Sequence, residues 1–499
     1  MFSFKKNTFF NYVGRAYSAL IGLFVLPLYL SYLTVEAFGL IGFFMIISGW
    51  LSMIEVGLSY LMTREAAKLK SSEKGLFELK SILRTVEFFF LIFSLLIFFS
   101  ALFSKNWIAN SWINASEIGF DTVVFSLLII SILSGLKLTV SMYKGLINGY
   151  EDQVWLNIFN IWINTMKFVG GLLFVAYFST NIMHYFVYQF FIAVIEILVI
   201  INRVYLVFPR SKVWIYPSYS SVKKNIPFIS AIFYSSALWV IFTQIDKLLL
   251  SYLLTLKEFG YYTLVFVLVN GMALVISTPL ADAIKPRMVS LFEKNKINEL
   301  ISIYRNSSRL ISVLSFTLFG LIAVYSFEVL YLWSGNIEAA KWGAEILFWY
   351  SLGSGMLMLS YFQFYLQFAY GNLKYHVIGS TYFGTLQIIV MIIATIKFHA
   401  LGAAIAWFWL QLIYFVVWPT FIHRKFIPGV HKYWIMQDVI PFAVLNLALL
   451  KLSLNIDLSG DTRLEIFFNL TFIAILLLIA NLILLMLINT FSKKLRAIT

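Results

Sequence analysis

The chain has 499 residues, 61% of them hydrophobic and only 12% charged, with a mean hydropathy of +0.87. Soluble globular domains carry about 25% charged residues, so this composition excludes one and predicts an integral membrane protein. The formal charge of +14 is spread over short segments between apolar runs, which argues against nucleic-acid binding; a chain without cysteine, whose five histidines lack metal-ligand spacing, holds no disulfide, thiol catalyst or Cys-ligated zinc.

The apolar runs mostly exceed the roughly 18 to 20 residues that cross a bilayer as helix, and they lack the alternation of a barrel strand. An all-α, polytopic fold follows. Spans are predicted near 8–32, 38–62, 81–104, 120–147, 154–178, 183–208, 225–254, 259–283, 308–332, 341–370, 376–398, 401–423, 434–454 and 464–490. That makes 14 helices, or twelve if the last pair is absent. The N-terminal run follows Lys5 and Lys6 as in a signal peptide, but it is too long and has no small-residue cleavage site, so it is the first span.

Lys and Arg gather in alternate loops: Lys5 and Lys6, the stretch "TREAAKLKSSEKGLFELK", Arg210 with Lys212, Lys223 and Lys224, the stretch from Lys285 to Arg309, Lys374, Arg424 with Lys425, and Lys493 with Lys494. The positive-inside rule then places both termini in the cytoplasm. No stretch between spans is long enough for a soluble catalytic domain.

One phrase occurs twice: "SYLTVEAFG" at Ser31 to Gly39 and "SYLLTLKEFG" at Ser251 to Gly260. Each ends one span and begins the next, six spans apart, as expected of parallel repeats about an axis along the membrane normal. The predicted organisation is a six-helix lobe over 1–210, a second over 225–425 and an additional helix pair over 434–490.

Four stretches carry a family resemblance: "KKNTFFNYVGRAYSALIGLFVLPLYLSYLTVEAFGL", "EVGLSYLMTREAAK", "IDKLLLSYLLTLKEFGYYTL" and "PLADAIKPRM". In this order and spacing the chain resembles bacterial polysaccharide flippases of the O-antigen exporter type, in the superfamily that also holds multidrug extruders and the lipid II flippase. The resemblance implies a V-shaped protein of the bacterial inner membrane. Its cargo would be an undecaprenyl-diphosphate-linked oligosaccharide, moved to the periplasmic leaflet by alternating access. It further implies no cofactor beyond a transmembrane proton or sodium gradient, no enzymatic activity, and contact with polysaccharide polymerase machinery. "EVGL" departs from the usual Asp-containing version.

Such a cargo needs fixed positive charge inside the bilayer, where ionisable residues are costly. Lys137 and Lys167 lie about 15 and 18 Å from the inner ends of their helices at 1.5 Å per residue, so they are the expected diphosphate contacts; the alternative for each is snorkelling to the headgroups. Asn157, Asn160 and Asn164 form a polar stripe that suits either sugar hydroxyls or helix packing. Arg15 and Glu55 come out at similar depth on neighbouring helices, as a gate or a static ion pair. Asp246 and Glu196 are candidate ion-coupling acids, and Lys247 a further substrate contact. Asp282, Lys285 and Arg287 cluster around Pro279 and Pro286, as a bending point or as topology charges. A membrane glycosyltransferase or polymerase would show an acidic pair in a large outer loop, which this chain lacks; a metabolite extruder would have fewer deep cations. No GxxxxGK[ST] sequence for ATP is present.

Overall fold

The computed structural model describes residues 2–206, 208, 216–217, 222–455 and 462–498. Arg210, Lys212 and the expected first-lobe boundary at residue 210 lie outside the described residues. Among the described residues, twelve helical segments are long and apolar enough to cross a membrane. One of them, Lys374–Phe426, is two helices broken at His399, where φ is 52° and ψ −140°. A further helix, Ile337–Leu359, completes the expected 14.

In chain order they are α1 (Phe2–Val25), α2 (Val35–Leu69), α3 (Glu73–Trp107), α4 (Phe120–Gly149) and α5 (Gln153–Thr165, which continues as Gly171–Tyr177). Then come α6 (Ile182–Tyr205), α7 (Ile226–Leu253), α8 (Leu256–Glu293), α9 (Ile297–Val324) and α10 (Ile337–Leu359). The two arms of Lys374–Phe426 are α11 and α12, followed by α13 (Val430–Tyr433, which continues as Ile440–Ser453) and α14 (Arg463–Ile498). Several run past the apolar spans. α3 starts at Glu73, where the Ser72 hydroxyl accepts the Gly75 amide at 3.1 Å; the charged first turns are helix too because a capped end needs no bilayer. α8 continues through Pro279 and Pro286 to Glu293.

The chain groups into two compact units, Met1–Thr263 and Leu264–Thr499. In the first, α4 is the central element. Its glycines permit backbone approach: a Cβ on Gly145 would strike the Ser59 carbonyl of α2, and one on Gly135 would lie 2.7 Å from Cβ of Ser94 on α3. The Thr63 hydroxyl donates to the Gly145 carbonyl at 2.9 Å and the Ser94 hydroxyl to that of Gly135 at 3.2 Å. Small residues with hydroxyl partners are how helices associate where lipid offers no hydrophobic gain.

The two copies of the repeated phrase meet face to face in this unit. A Cβ on Gly39 would strike the Leu256 carbonyl, and a Cβ on Gly260 would strike the carbonyl of Val35, so the contact is reciprocal. The acidic residues of the phrase act differently. Glu36 is buried and accepts from the backbone amides of Ser116, Glu117 and Ile118 at 2.7–2.9 Å, pinning the loop before α4. Glu258 closes a capping box with Thr255, accepting its amide at 3.0 Å.

Candidate functional site

Helix α5 does not run regularly. Between its two parts, Met166–Gly170 forms a π turn. A π turn adds a residue to the helical circuit and leaves carbonyls without their usual amide partners. Three side chains take them up: Tyr188 donates to the Met166 carbonyl at 2.8 Å, Gln189 to that of Lys167 at 2.8 Å, and Tyr29 to that of Phe168 at 2.8 Å. The following glycines make room, because a Cβ on Gly170 would collide with the Tyr188 hydroxyl and one on Gly171 with that of Tyr29. Lys167 is thereby fixed in place by the one irregular turn of its helix.

Its ammonium pairs with one carboxylate oxygen of Glu196 on α6. The other oxygen accepts from Lys144 of α4 at 2.8 Å. Glu196 is buried, with 5% of its side chain exposed, whereas the two lysines retain 30% and 29%. One carboxylate thus joins two cations whose side chains stay partly exposed. Seven residues before Lys144, two helical turns, Lys137 lies on the same face of α4. Its ammonium is 3.9 Å from Glu55 of α2, beyond hydrogen-bonding distance, and that Glu55 oxygen is buried without a hydrogen-bond partner. Three lysines and two carboxylates leave a net positive charge inside the bundle.

The expected residues therefore fall into three sets. Lys137, Lys167, Glu55 and Glu196 come together in the first unit. Glu55, expected opposite Arg15, makes its ion-pair contact with Lys137; Arg15 itself is exposed on α1. The asparagine stripe is divided between the two readings left open for it. Asn157 donates to Asn11 at 2.6 Å and Asn164 to Ser18 at 2.9 Å, joining α5 to α1, while Asn160 is half-buried with no hydrogen-bond partner among the described residues. Asp246 and Lys247 form a set of their own. The ammonium of Lys247 lies 3.1 Å from both carboxylate oxygens of Asp246, which also accepts from the Tyr262 hydroxyl at 2.8 Å, and all three are buried. Neighbouring residues on a helix diverge by about 100°, yet the flexible lysine stem folds back onto its neighbour.

Lys144 is the member that sequence reasoning missed. Its signal was the spacing of seven from Lys137 in "LKLTVSMYK", which marks one helix face. No group of His, Asp and Glu suited to a metal ion occurs among the described residues.

The profile of a family described as polysaccharide biosynthesis protein matches residues 4–292, more than half the chain. No curated protein sequence matches significantly. Among solved structures the chain is similar to the lipid II flippase MurJ in an inward closed conformation, with a TM-score of 0.72 at 15% identity, covering 98% of this chain and 99% of that one. It is also similar to a multidrug resistance MATE family transporter of the MOP superfamily in an inward-facing conformation, with a TM-score of 0.57 at 13% identity over 82% of this chain and 94% of that one. An outward-facing transporter of that family gives 0.52 at 13% identity over 85% and 95%. At these identities the likeness establishes the fold.

Proposed function

The chain belongs to the polysaccharide biosynthesis protein family, and from that premise we propose that it is a flippase for a polyprenyl-diphosphate-linked oligosaccharide. The cargo is an O-antigen or related surface-polysaccharide unit on undecaprenyl diphosphate, carried from the cytoplasmic to the periplasmic leaflet of the bacterial inner membrane, where the polymerase machinery would receive it. Support comes from a fold shared with a lipid II flippase and from one observation above all, the Lys144–Glu196–Lys167 bridge with Lys137 beside it.

A diphosphate cannot leave water for the bilayer unless fixed charge replaces its hydration. Glu196 occupies the two lysines while no cargo is present, which holds their cations together at tolerable cost. A diphosphate diester brings two negative charges against the single one of Glu196, so it competes for the same ammonium groups. Lysine suits this exchange, being a rotatable point charge where arginine is a fixed fork. Release on the far side returns the lysines to Glu196. The cycle is alternating access, driven by a proton or sodium gradient, and breaks no covalent bond.

Deleting the gene and identifying which lipid-linked oligosaccharide accumulates on the cytoplasmic leaflet tests this reading. The expected result is one polyprenyl-diphosphate glycan, cleared by the wild-type gene and not by a Lys144→Ala, Lys167→Ala double variant inserted at equal level. Restoration by the double variant would refute the cation site. No glycolipid accumulation, with altered resistance to small amphiphiles instead, would favour an extruder.

A further inference from the structure

In the second unit a line of buried hydrogen bonds runs through Gln363, Tyr304, His423, His431 and Thr420, on four different helical segments. Gln363 donates to the Tyr304 hydroxyl at 3.4 Å; the Tyr304 oxygen lies 2.5 Å from His423 Nε2; His423 Nδ1 lies 2.9 Å from His431 Nδ1; and His431 Nε2 lies 3.2 Å from the Thr420 hydroxyl, which donates to the Val416 carbonyl at 2.8 Å. Gln363, Tyr304 and His423 are completely buried, and His431 is half-buried. The carriage of an anionic lipid makes no use of this line.

Two Nδ1 atoms at 2.9 Å share one hydrogen: two lone pairs would repel, and so would two N–H groups. With both rings neutral, every contact is satisfied in one direction. Tyr304 O–H donates to His423 Nε2, His423 Nδ1–H to His431 Nδ1, and His431 Nε2–H to Thr420. Reversal would require Thr420 to leave the Val416 carbonyl and Gln363 to turn its amide over, so at rest the line runs one way, from Tyr304 toward Thr420.

We propose that Tyr304, His423 and His431 form a proton-binding relay, and that taking up one proton at His431 breaks the Nδ1–Nδ1 contact that ties the end of α12 to the start of α13. The step forms one N–H bond with a proton from solvent and breaks no bond other than the hydrogen bond. It leaves two N–H groups facing each other, so the rings must part. The surrounding charges are Arg305 and Arg309 on α9, both paired with Asp438 between the two parts of α13, together with exposed Arg424 on α12 and exposed Lys432 on α13. Because Asp438 is held by two guanidinium groups, it is not free to trap the new cation.

The Trp434 ring supplies the readout, its centroid 4.9 Å from that of His423 and 5.7 Å from that of His431. A cationic imidazole in ring contact quenches indole emission. The test uses the full chain in lipid nanodiscs, with no glycolipid present, titrated from about pH 8 down to about 4, past the ordinary histidine range, because the half-buried position of His431 and the positive Arg424 near it oppose the new charge. The Trp434 signal is the difference between wild type and Trp434→Phe. It should lose most of its intensity reversibly on acidification, and His431→Gln should abolish the loss. If His431→Gln fails to reach the membrane, Thr420→Val, which removes only the outer hydroxyl, should displace the midpoint. A flat Trp434 signal, an unchanged titration in His431→Gln, or an unmoved midpoint in Thr420→Val would overturn the relay. Because no cargo enters the assay, such an outcome with normal glycolipid export would leave the flippase reading standing, whereas a normal titration without glycolipid accumulation on deletion would remove only the flippase reading.

Discussion

Each unit holds one carboxylate between two cations, and the two arrangements are built from different materials. In the first unit Glu196 bridges Lys144 and Lys167, whose side chains are 29% and 30% exposed. In the second, Asp438 is fully buried and bridges Arg305 at 2.7 Å and Arg309 at 2.5 Å, whose side chains are 17% and 6% exposed. Arginine grips with a planar fork and does not let go cheaply, and Gln437 adds a further acceptor to Arg305 at 2.8 Å. The lysine bridge is made of single-point contacts from side chains that stay partly exposed. Two motifs with the same charge pattern therefore differ in build: one clamps α9 to α13, while in the cycle we propose the other keeps cations ready for a competing anion.

The comparison breaks most sharply at Asp438. Replacing it with Asn leaves the buried Arg309 and the half-buried Arg305 without a counter-charge, a loss of about 3 to 5 kcal/mol. The expected outcome of D438N is a large fall in folded protein, measured by thermal unfolding in detergent. A fully folded, stable D438N would erase the distinction between clamp and bridge.

Gly171→Ala comes next. The added methyl meets the Tyr29 hydroxyl that holds the Phe168 carbonyl, and overpacking of this kind costs about 1 to 3 kcal/mol. Because the damage falls on the turn that carries Lys167, export per inserted molecule should drop with it. Stability and export measured together on this variant should change in parallel.

Lys144→Ala separates the two properties. Glu196 keeps Lys167 as its counter-charge in this variant, so folding should change far less than in D438N, while export should fall about tenfold, the effect of 1.4 kcal/mol at the transport barrier. Lys144→Arg should restore part of it. If Lys144→Ala unfolds the protein as severely as D438N, the lysine bridge is a clamp too.

The smallest expected effect belongs to Glu196→Gln, which removes the competitor while keeping the shape. A few-fold tighter binding of inorganic diphosphate, read by calorimetry on the purified chain, is expected. Weaker binding would mean that Glu196 positions the lysines rather than holding their place.

Much of this architecture was legible in the sequence. The number of helices followed from apolar runs, and the break between α11 and α12 was expected between residues 398 and 401, where the chain turns at His399. Helix ends were less legible, since α3, capped by Ser72, and α8 and α9 continue into charged turns beyond their apolar spans. Lys137, Lys167, Glu55 and Glu196 stood out because charge inside an apolar run is costly. Which cation meets which carboxylate was hidden, because it depends on how α2, α4, α5 and α6 are rotated against each other. Arg305 and Arg309 looked like loop charges for the same reason: their counter-ion lies about 130 residues away in sequence, and only packing brings it near.

The irregular turns carry one more consequence. Lys167 belongs to the π turn Met166–Gly170 and Asp438 to the π turn Trp434–Val439, so each bridge has one partner on a helix that contains a surplus residue. A surplus residue sets the phase of everything beyond it. Removing one residue from 166–170 would turn the remainder of α5 by about 100° relative to its first half. The face that touches α1 through Asn157 and Asn164 would stay where it is, and the face beyond would point elsewhere. The length of this chain, to the single residue, is in that sense part of its electrostatics.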